Sequence, residues 1–450
     1  MLENQYNTPG INLPNHEKHT FKNGLTVILT PSLDLPTVNF AMLVGTGASS
    51  VSHLKAGVSF LTSEMLKKGS GGKSAIEFSE AVDFLGGSVG LMATHDYSIL
   101  GGTFLSKDVN IGLNLLSDMI LSPRFLPTEL ERVKRLLLNA IRGIHDNPSA
   151  LCSLAFQKIF YGEKHPYALP THGLEETIKN LTTDDIIDYF NSHYSPIKSI
   201  LTATGQFKMD VMLKQIEQCF SGWDPINSLS NKKAIIPLKK SKRITLIHKP
   251  DLSQTQIRIG SPGINKGHQD TFSVKIANSV FGGMFTSRLV RSIRVKQGLT
   301  YSINSGFTTM KHQGAFTIST FTQNKTVREI LDAILQEIRS FKSGDIRQEE
   351  IDAAINYHSG LYPMSLETPK DYASQILNIE FYNLSKDWVS NYIPNLQAVT
   401  KKDVLQVIDK YFTEKLNIVL LTNADDVTSS LKNFNGIEII ESIENNGLIS

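Results

Sequence analysis

The sequence predicts an α+β fold built from two homologous halves. Strand-like and helix-like segments follow one another in the same order on both sides of a polar stretch in the middle of the chain. One helical phrase and the apolar strand after it are also found in both halves. Repetition at a spacing of about 220 residues indicates a tandem duplication. Each half is therefore expected to form a mixed β-sheet packed with helices, an α/β sandwich.

The first half begins with paired strands and continues into helices. From His19 to Val51, apolar residues alternate with polar ones, and Asn23-Gly24 supplies a hairpin-like turn. Periodic apolar residues bounded by Gly, Pro and Ser then predict a series of helices and further strands. The predicted helices are 56–68, 74–85, 108–122, 127–146 and 182–194, and the predicted strands are 88–93, 97–104 and 200–205.

The second half repeats this order. The phrase L-T-T-D-D-I-I-D-Y-F at Leu181 corresponds to V-T-K-K-D-V-L-Q-V-I at Val399, and Thr183 and Thr400 are the predicted helix caps. Each phrase leads into an apolar strand. The predicted strands of this half are 243–246, 256–261 and 418–421, and the predicted helices are 270–281, 327–343 and 348–362.

Length and composition predict two domains, residues 1–221 and 243–450, joined by a polar, lysine-containing linker at 222–242. The net charge of +2 gives no basis for nucleic-acid binding, which needs concentrated basic charge. No apolar run approaches the roughly 20 residues that cross a bilayer. Cys152 and Cys219 fit no metal spacing and are expected to be buried structural thiols.

One stretch of the second half, from Phe281 to Ser302, concentrates residues suited to binding. Gly282 and Gly283 break a helix or allow close approach of another backbone. The apolar residues after them recur at helical spacing, which predicts a helix that ends at Gly298.

Arg294 and Tyr301 then stand at the end of this helix and the start of the next strand. Because Arg is always charged and Tyr offers a hydroxyl donor, the pair can hold a carbonyl oxygen or a peptide backbone. The structural alternative is that Arg294 stabilises the helix dipole and Tyr301 packs in the core.

Several phrases, kept in order over nearly the whole chain, resemble the M16 family of zinc peptidases, the processing-peptidase and insulinase-like group. They are F-K-N-G-L-T-V at Phe21, G-V-S-F-L-T-S-E-M-L-K-K-G-S at Gly57, D-N-P at Asp146, H-P-Y at His165 and L-T-T-D-D-I at Leu181. The resemblance implies that the two homologous domains form half of a clamshell.

The resemblance also implies a zinc motif, H-x-x-E-H, whose two His residues bind the metal and whose Glu is the general base, with a third ligand from a later helix. The positions that match are degenerate: Phe60, Ser63 and Glu64, with the third ligand on or next to Ala140. Phenylalanine cannot bind zinc, serine cannot replace the carboxylate base, and Glu64 alone leaves one ligand where three are needed. No zinc is expected in this chain.

In the family, the Arg and Tyr that match Arg294 and Tyr301 reach the zinc site of the facing half, where they hold the substrate and stabilise the oxyanion. Heterodimeric members divide the two sets between their chains. The resemblance therefore implies a non-catalytic subunit, inactive alone, whose partner is an H-x-x-E-H homologue that holds the zinc. Gly282 and Gly283 would let the loop lie close to the backbone of the partner or of a peptide or unfolded polypeptide substrate.

Two other functions are compatible with these residues. One is a catalytically inactive scaffold of the same fold, which would not need the Arg and Tyr. The other is a peptidase that acts alone with unusual ligands, although the remaining histidines show no metal-ligand spacing; they include His95, His145, His165 and His172. The chain could also pair with itself when alone. A periplasmic location is expected if a signal peptide has been removed, and a cytoplasmic one otherwise.

Overall fold

The computed structural model describes residues 11–226, 242–434 and 437–444, except residues 12 and 433. The predicted linker at 222–242 therefore lies largely outside the described residues. Within them the chain forms two six-stranded sheets, each packed with helices. The predicted α+β fold of two homologous domains is confirmed.

The first half supplies one sheet and eight helices among the described residues. Its strands are β1 Glu17–Thr20, β2 Thr26–Pro31, β3 Thr37–Val44, β4 Ser88–Ala93, β5 Ser98–Leu105 and β6 Ser199–Gly205. Its helices are α1 Val58–Leu66, α2 Ala75–Phe84, α3 Val109–Leu121, α4 Pro127–His145, α5 Pro148–Tyr161, α6 Glu175–Asn180, α7 Thr183–His193 and α8 Met209–Phe220.

The second half supplies the other sheet. Its strands are β7 Lys242–His248, β8 Gln254–Pro262, β9 Ile303–Thr308, β10 Ala315–Gln323, β11 Asn417–Thr422 and β12 Ile437–Glu444. Its helices are α9 Thr271–Asn278, α10 Val327–Lys342, α11 Gln348–Met364, α12 Pro369–Tyr382, α13 Tyr392–Gln397, α14 Lys401–Tyr411 and α15 Ala424–Leu431. None of the described helices is both long enough and apolar enough to cross a membrane.

The two sheets have equivalent strand orders, which is the structural form of the duplication. The orders are β1-β2-β6-β3-β5-β4 and β12-β7-β11-β8-β10-β9. In both sheets the second and third strands are parallel, and the pairs beyond them are antiparallel. The first edge differs, because β1 runs antiparallel to β2 whereas β12 runs parallel to β7. Both sheets are therefore mixed, as predicted.

The repeated helical phrase begins with the same cap in both halves. The side chain of Thr182 accepts a hydrogen bond from the backbone N–H of Asp185, and that carboxylate accepts one from the backbone N–H of Thr182, at 2.8 Å. Thr400 and Asp403 form the same reciprocal pair, at 2.9 Å. The prediction of Thr183 as the first cap is wrong by one residue, because Thr182 has the extended backbone that an N-cap requires.

Each sheet is covered in part by a helix of the other half. Helix α5 packs against β8 and β11 of the second sheet, and α12 packs against β3 and β6 of the first. Side chains of the second sheet consequently join the hydrophobic core of the first half; they are Ile247, Ala315, Val419 and Leu421. The apolar burial that stabilises each half thus depends on the presence of the other.

A buried arginine connects α5 to the second sheet. Arg258 of β8 is 8% exposed, and its guanidinium donates hydrogen bonds to the hydroxyl of Ser149 at 2.7 Å and to that of Ser153 at 3.0 Å. Cys152 lies buried in the same contact, and burial raises the pKa of its thiol to about 11. The prediction of a buried structural thiol is confirmed for Cys152, whereas Cys219 is half-buried.

Replacing Arg258 tests this connection. Arg258→Ala is expected to lower the free energy of unfolding by roughly 1–3 kcal/mol, because it removes the hydrogen bonds that the buried guanidinium donates to Ser149 and Ser153 of α5. Arg339→Ala is a matched control, since it removes an exposed arginine paired with Glu414 and should cost at most about 1 kcal/mol. Urea denaturation measures both values. Equal losses in the two variants would contradict the anchoring role of Arg258.

Candidate functional site

Helix α1 carries three of the zinc-motif positions, of which Ser63 is buried and Phe60 and Glu64 are half-buried. Phe60 packs against the hydrophobic core of the first half. Ser63 is 3% exposed, and its hydroxyl oxygen lies 3.3 Å from that of Tyr194 and 3.5 Å from that of Ser98. Burial raises the pKa of Tyr194, so its phenol stays protonated. Ser63 therefore belongs to an uncharged hydrogen-bonded cluster.

The other two positions offer no better metal site. Glu64 forms an ion pair with Lys67 one turn later, at 2.8 Å. Ala140 lies exposed on α4, the helix that packs against α1, and its methyl group has no donor atom. Within the described residues, no three His, Cys, Asp or Glu side chains converge to hold a metal ion. The side chains at Phe60, Ser63, Glu64 and Ala140 do not fit zinc, which requires three or four such ligands.

The segment before Arg294 is not the regular α-helix that its apolar spacing predicts. Helix α9 continues into a π-helical turn at Ser279–Gly283, and a second π-helical segment spans Val290–Lys296. Between them Met284 has an extended backbone. The apolar spacing is compatible with both kinds of turn, so the sequence pattern could not distinguish them.

Arg294 lies in the second π-helical segment and Tyr301 in the loop before β9, and both line one surface cavity of about 450 Å³. Tyr301 is 84% exposed, so the alternative that it packs in the core is wrong. The guanidinium carbon of Arg294 lies 5.1 Å from the ring centre of Phe285, which is itself exposed. Neither polar side chain forms a hydrogen bond or ion pair with a described residue.

Strand β10 fixes the loop that carries Tyr301. The Thr320 hydroxyl donates to the carbonyl oxygen of Ser302 at 2.8 Å, and the Thr322 hydroxyl donates to that of Leu299 at 2.6 Å. Both threonines are buried. Tyr301 is thus held between two anchored residues while its side chain remains in solvent. These threonines were not predicted from the sequence, although their alternation in T-I-S-T-F-T was the signal that could have revealed them.

Gly282 and Gly283 do not line the cavity of Arg294 and Tyr301. A Cβ atom at Gly282 would lie 2.4 Å from the Ser305 hydroxyl, and one at Gly283 would lie 2.8 Å from the side-chain nitrogen of Asn278. Internal packing therefore explains why a side chain is excluded at both positions. The structure brings Arg294 and Tyr301 together, and it places Gly283 on a different cavity.

The two equivalent sheets, each packed with helices, define a class of protein with a duplicated two-domain α+β fold. Residues 27–170 match the family model described as "Insulinase (Peptidase family M16)", and residues 180–357 match that described as "Peptidase M16 inactive domain". Together the two matches span most of the chain. The chain belongs to the M16 family, as its sequence resemblance predicted.

Similar proteins extend over almost its full length. An uncharacterized zinc protease of Bacillus subtilis is 24% identical over 92% of this chain and 100% of its own. An uncharacterized zinc protease of Rickettsia felis is 25% identical, and the match covers 87% of this chain and 94% of that protein. The crystal structure of a peptidase M16 inactive domain from Pseudomonas fluorescens has a TM-score of 0.84 and 25% identity, covering 90% of this chain and 98% of that one. The crystal structure of a protease from Helicobacter pylori shares the fold, with a TM-score of 0.83 and 20% identity. That match covers 91% of this chain and 100% of the other.

Zinc retention should distinguish this chain from an H-x-x-E-H homologue. After incubation with zinc and desalting, the purified chain is expected to hold no stoichiometric zinc, because Phe60 and Ala140 supply no donor atoms. Elemental mass spectrometry measures the metal, and an H-x-x-E-H homologue treated in the same way is the positive control. A zinc ion retained by the chain and lost in Glu64→Ala would show that the helix still binds metal.

Proposed function

We propose that this chain is the non-catalytic subunit of a paired M16 zinc metallopeptidase. In this role it completes the active site of an H-x-x-E-H homologue and helps to hold a peptide in a closed chamber. The proposal depends on one observation: Arg294 and Tyr301 share a cavity, and neither has a hydrogen-bonding partner among the described residues. Exposed polar side chains on an anchored loop are typical of binding sites.

The chemistry of the pair suits a peptide carbonyl. The guanidinium of Arg294 offers a permanently charged fork of donors, and Tyr301 offers a hydroxyl donor. Donors of this kind stabilise the oxyanion that develops when water attacks the carbonyl carbon. The Phe285 ring beside Arg294 favours one position of the guanidinium through a cation–π contact. The chain would thus contribute substrate positioning and charge stabilisation.

The remaining chemistry would come from the partner. Because the residues at the zinc-motif positions do not fit zinc, we place the metal in the H-x-x-E-H site of the partner, where it would activate water. A scaffold protein of the same fold would also lack the zinc motif. It would, however, have no need for Arg294 and Tyr301, and this difference allows the two functions to be separated by experiment.

Substitution of the pair tests its role in hydrolysis. In the reconstituted complex, Arg294→Ala and Tyr301→Phe are each expected to lower kcat/KM for a fluorogenic peptide roughly 10²-fold, as the loss of one oxyanion donor does. Arg294→Lys should fall between wild type and alanine, since it keeps the charge and loses the planar fork. All three variants should unfold within about 0.5 kcal/mol of wild type, because the side chains are not buried.

Lys296→Ala is the matched control for these variants. Lys296 is an exposed basic residue of the same π-helical segment and does not line the cavity. Its removal is expected to leave hydrolysis unchanged. If the Arg294 and Tyr301 variants also turned over peptide at the wild-type rate, the active-site role would be excluded and the scaffold function favoured.

Pairing itself can be tested in the source cells. Affinity purification of the chain followed by mass spectrometry is expected to recover a homologue of similar size that carries H-x-x-E-H, because the chain lacks the residues that the resemblance assigns to the metal. Recovery of the wild-type chain alone, or with an unrelated assembly, would contradict the proposed pairing.

A further inference from the structure

The second half has a cavity at the place that corresponds to the zinc-motif helix of the first half. The buried residues of α1 and of the α9 segment align, with Leu61 matching Ile276 and Met65 matching Val280. In this alignment, Lys275 of the second half is equivalent to Phe60 of the first half. Lys275 lines a cavity of about 450 Å³ that is separate from the cavity of Arg294 and Tyr301.

In the same alignment, Ser279 of the second half is equivalent to Glu64 of the first half. The hydroxyl oxygen of Ser279 lies 2.6 Å from Nε2 of His358, and both residues line the cavity. His358 belongs to α11, which occupies in the second half the position of α4 in the first. Burial, together with the nearby charge of Lys275, lowers the pKa of His358 to about 4, so the imidazole is neutral at pH 7. Equivalent places in the two halves therefore carry different chemistry.

The cavity contains positive charge without a counter-ion. Lys266 and Lys275 both line it, and neither ammonium group forms an ion pair or hydrogen bond with a described residue. None of the described residues that line the cavity is acidic. Burial lowers the pKa of both lysines, and the charge of Lys275 lowers that of Lys266 further. A bound anion would neutralise the two ammonium charges and so reduce the cost of burying them close together.

Aromatic side chains form another part of the wall. The rings of Tyr362 and Tyr392 stack with their centres 3.6 Å apart, and Trp388 lies beside them. The hydroxyl of Tyr362 is buried and has no hydrogen-bond partner among the described residues. Flat aromatic faces favour an apolar or aromatic ligand group. The cavity volume falls in the range of about 300–1,000 Å³ that small-ligand sites occupy.

We propose that this cavity binds a carboxylate carried on an aromatic or apolar group. The carboxylate would lie against Lys266 and Lys275, and the apolar part against Tyr392 and Trp388. The last residue of a peptide and a free aromatic acid share this chemistry. The proposal does not depend on the proposed subunit function, because none of these residues lines the Arg294 and Tyr301 cavity.

Calorimetric titration of the isolated full-length chain tests the charge requirement. N-acetyl-phenylalanine carries both the carboxylate and the ring, whereas N-acetyl-phenylalaninamide keeps the ring and lacks the charge. The acid is expected to bind roughly 10-fold or more tightly than the amide, because hydrogen bonds to charged groups are the stronger ones. Equal binding of the two compounds would overturn the proposal, as would an absence of binding by the acid.

Two lysine variants test the location. Lys275→Met and Lys266→Met remove the charge and keep most of the apolar stem, and each is expected to weaken binding of the acid roughly 10-fold. Lys296→Met, outside the cavity, should bind like wild type. Neither cavity variant should lower the unfolding temperature, since each removes an unpaired charge. Unchanged affinity in both cavity variants would overturn the assignment of the site, and either variant alone suffices if the other fails to fold.

Further ligands identify the source of the carboxylate. Inorganic phosphate is expected to bind more weakly than N-acetyl-phenylalanine, and equal binding would overturn the role of the aromatic wall. A pentapeptide that ends in a free Phe and binds more tightly than N-acetyl-phenylalanine would support a polypeptide end as the ligand. A pentapeptide that binds less tightly would support a free aromatic acid. These titrations need neither partner nor hydrolysis, so their failure is distinct from failure of the subunit function.

Discussion

The exchange of helices between the two halves is the constraint on which the rest of the structure depends. Helix α5 of the first half packs on β8 and β11 of the second sheet, and α12 of the second half packs on β3 and β6 of the first sheet. Arg258 fastens the first of these contacts through hydrogen bonds to α5 rather than through an ion pair. Both cavities of the second half are built on strands and helices whose positions are fixed in this way. The cavity of Arg294 and Tyr301 lies on the same sheet, where Gln254 of β8 and Gln323 of β10 contribute to its lining.

Helices α1 and α9 are equivalent in the duplicated fold, but the side chains around them differ. In the first half, Phe60 and Ser63 occupy positions that the family resemblance assigns to a metal site. Phe60 packs against the hydrophobic core, and the Ser63 hydroxyl contacts that of Tyr194. In the second, Lys275 and Ser279 leave the corresponding position open and basic. A fold of this kind preserves the helices because they carry the core, while the side chains that face a cavity are free to diverge.

Much of the fold could be predicted because local patterns decide it. Apolar residues that alternate with polar ones mark β8, and a continuous apolar run marks β11. The Thr400 phrase and its counterpart at Thr182 mark a capped helix in each half. The π-helical turn at Ser279–Gly283 could not be predicted, since apolar spacing is too coarse to show one added residue. The proximity of Arg294 and Tyr301 could be predicted because the two residues are close in the chain. Lys275 and His358 were missed because tertiary packing alone brings them to one cavity.

The position of α12 also has a consequence for biosynthesis. The face of β3 and β6 that α12 covers is completed by residues Pro369–Tyr382, which are made long after the first sheet has been synthesised. At roughly 5–20 residues per second, that face stays uncovered on the nascent chain for many seconds. The first half therefore cannot complete its packing until the second half emerges from the ribosome. A chain interrupted between the halves would leave the first sheet without its covering helix α12.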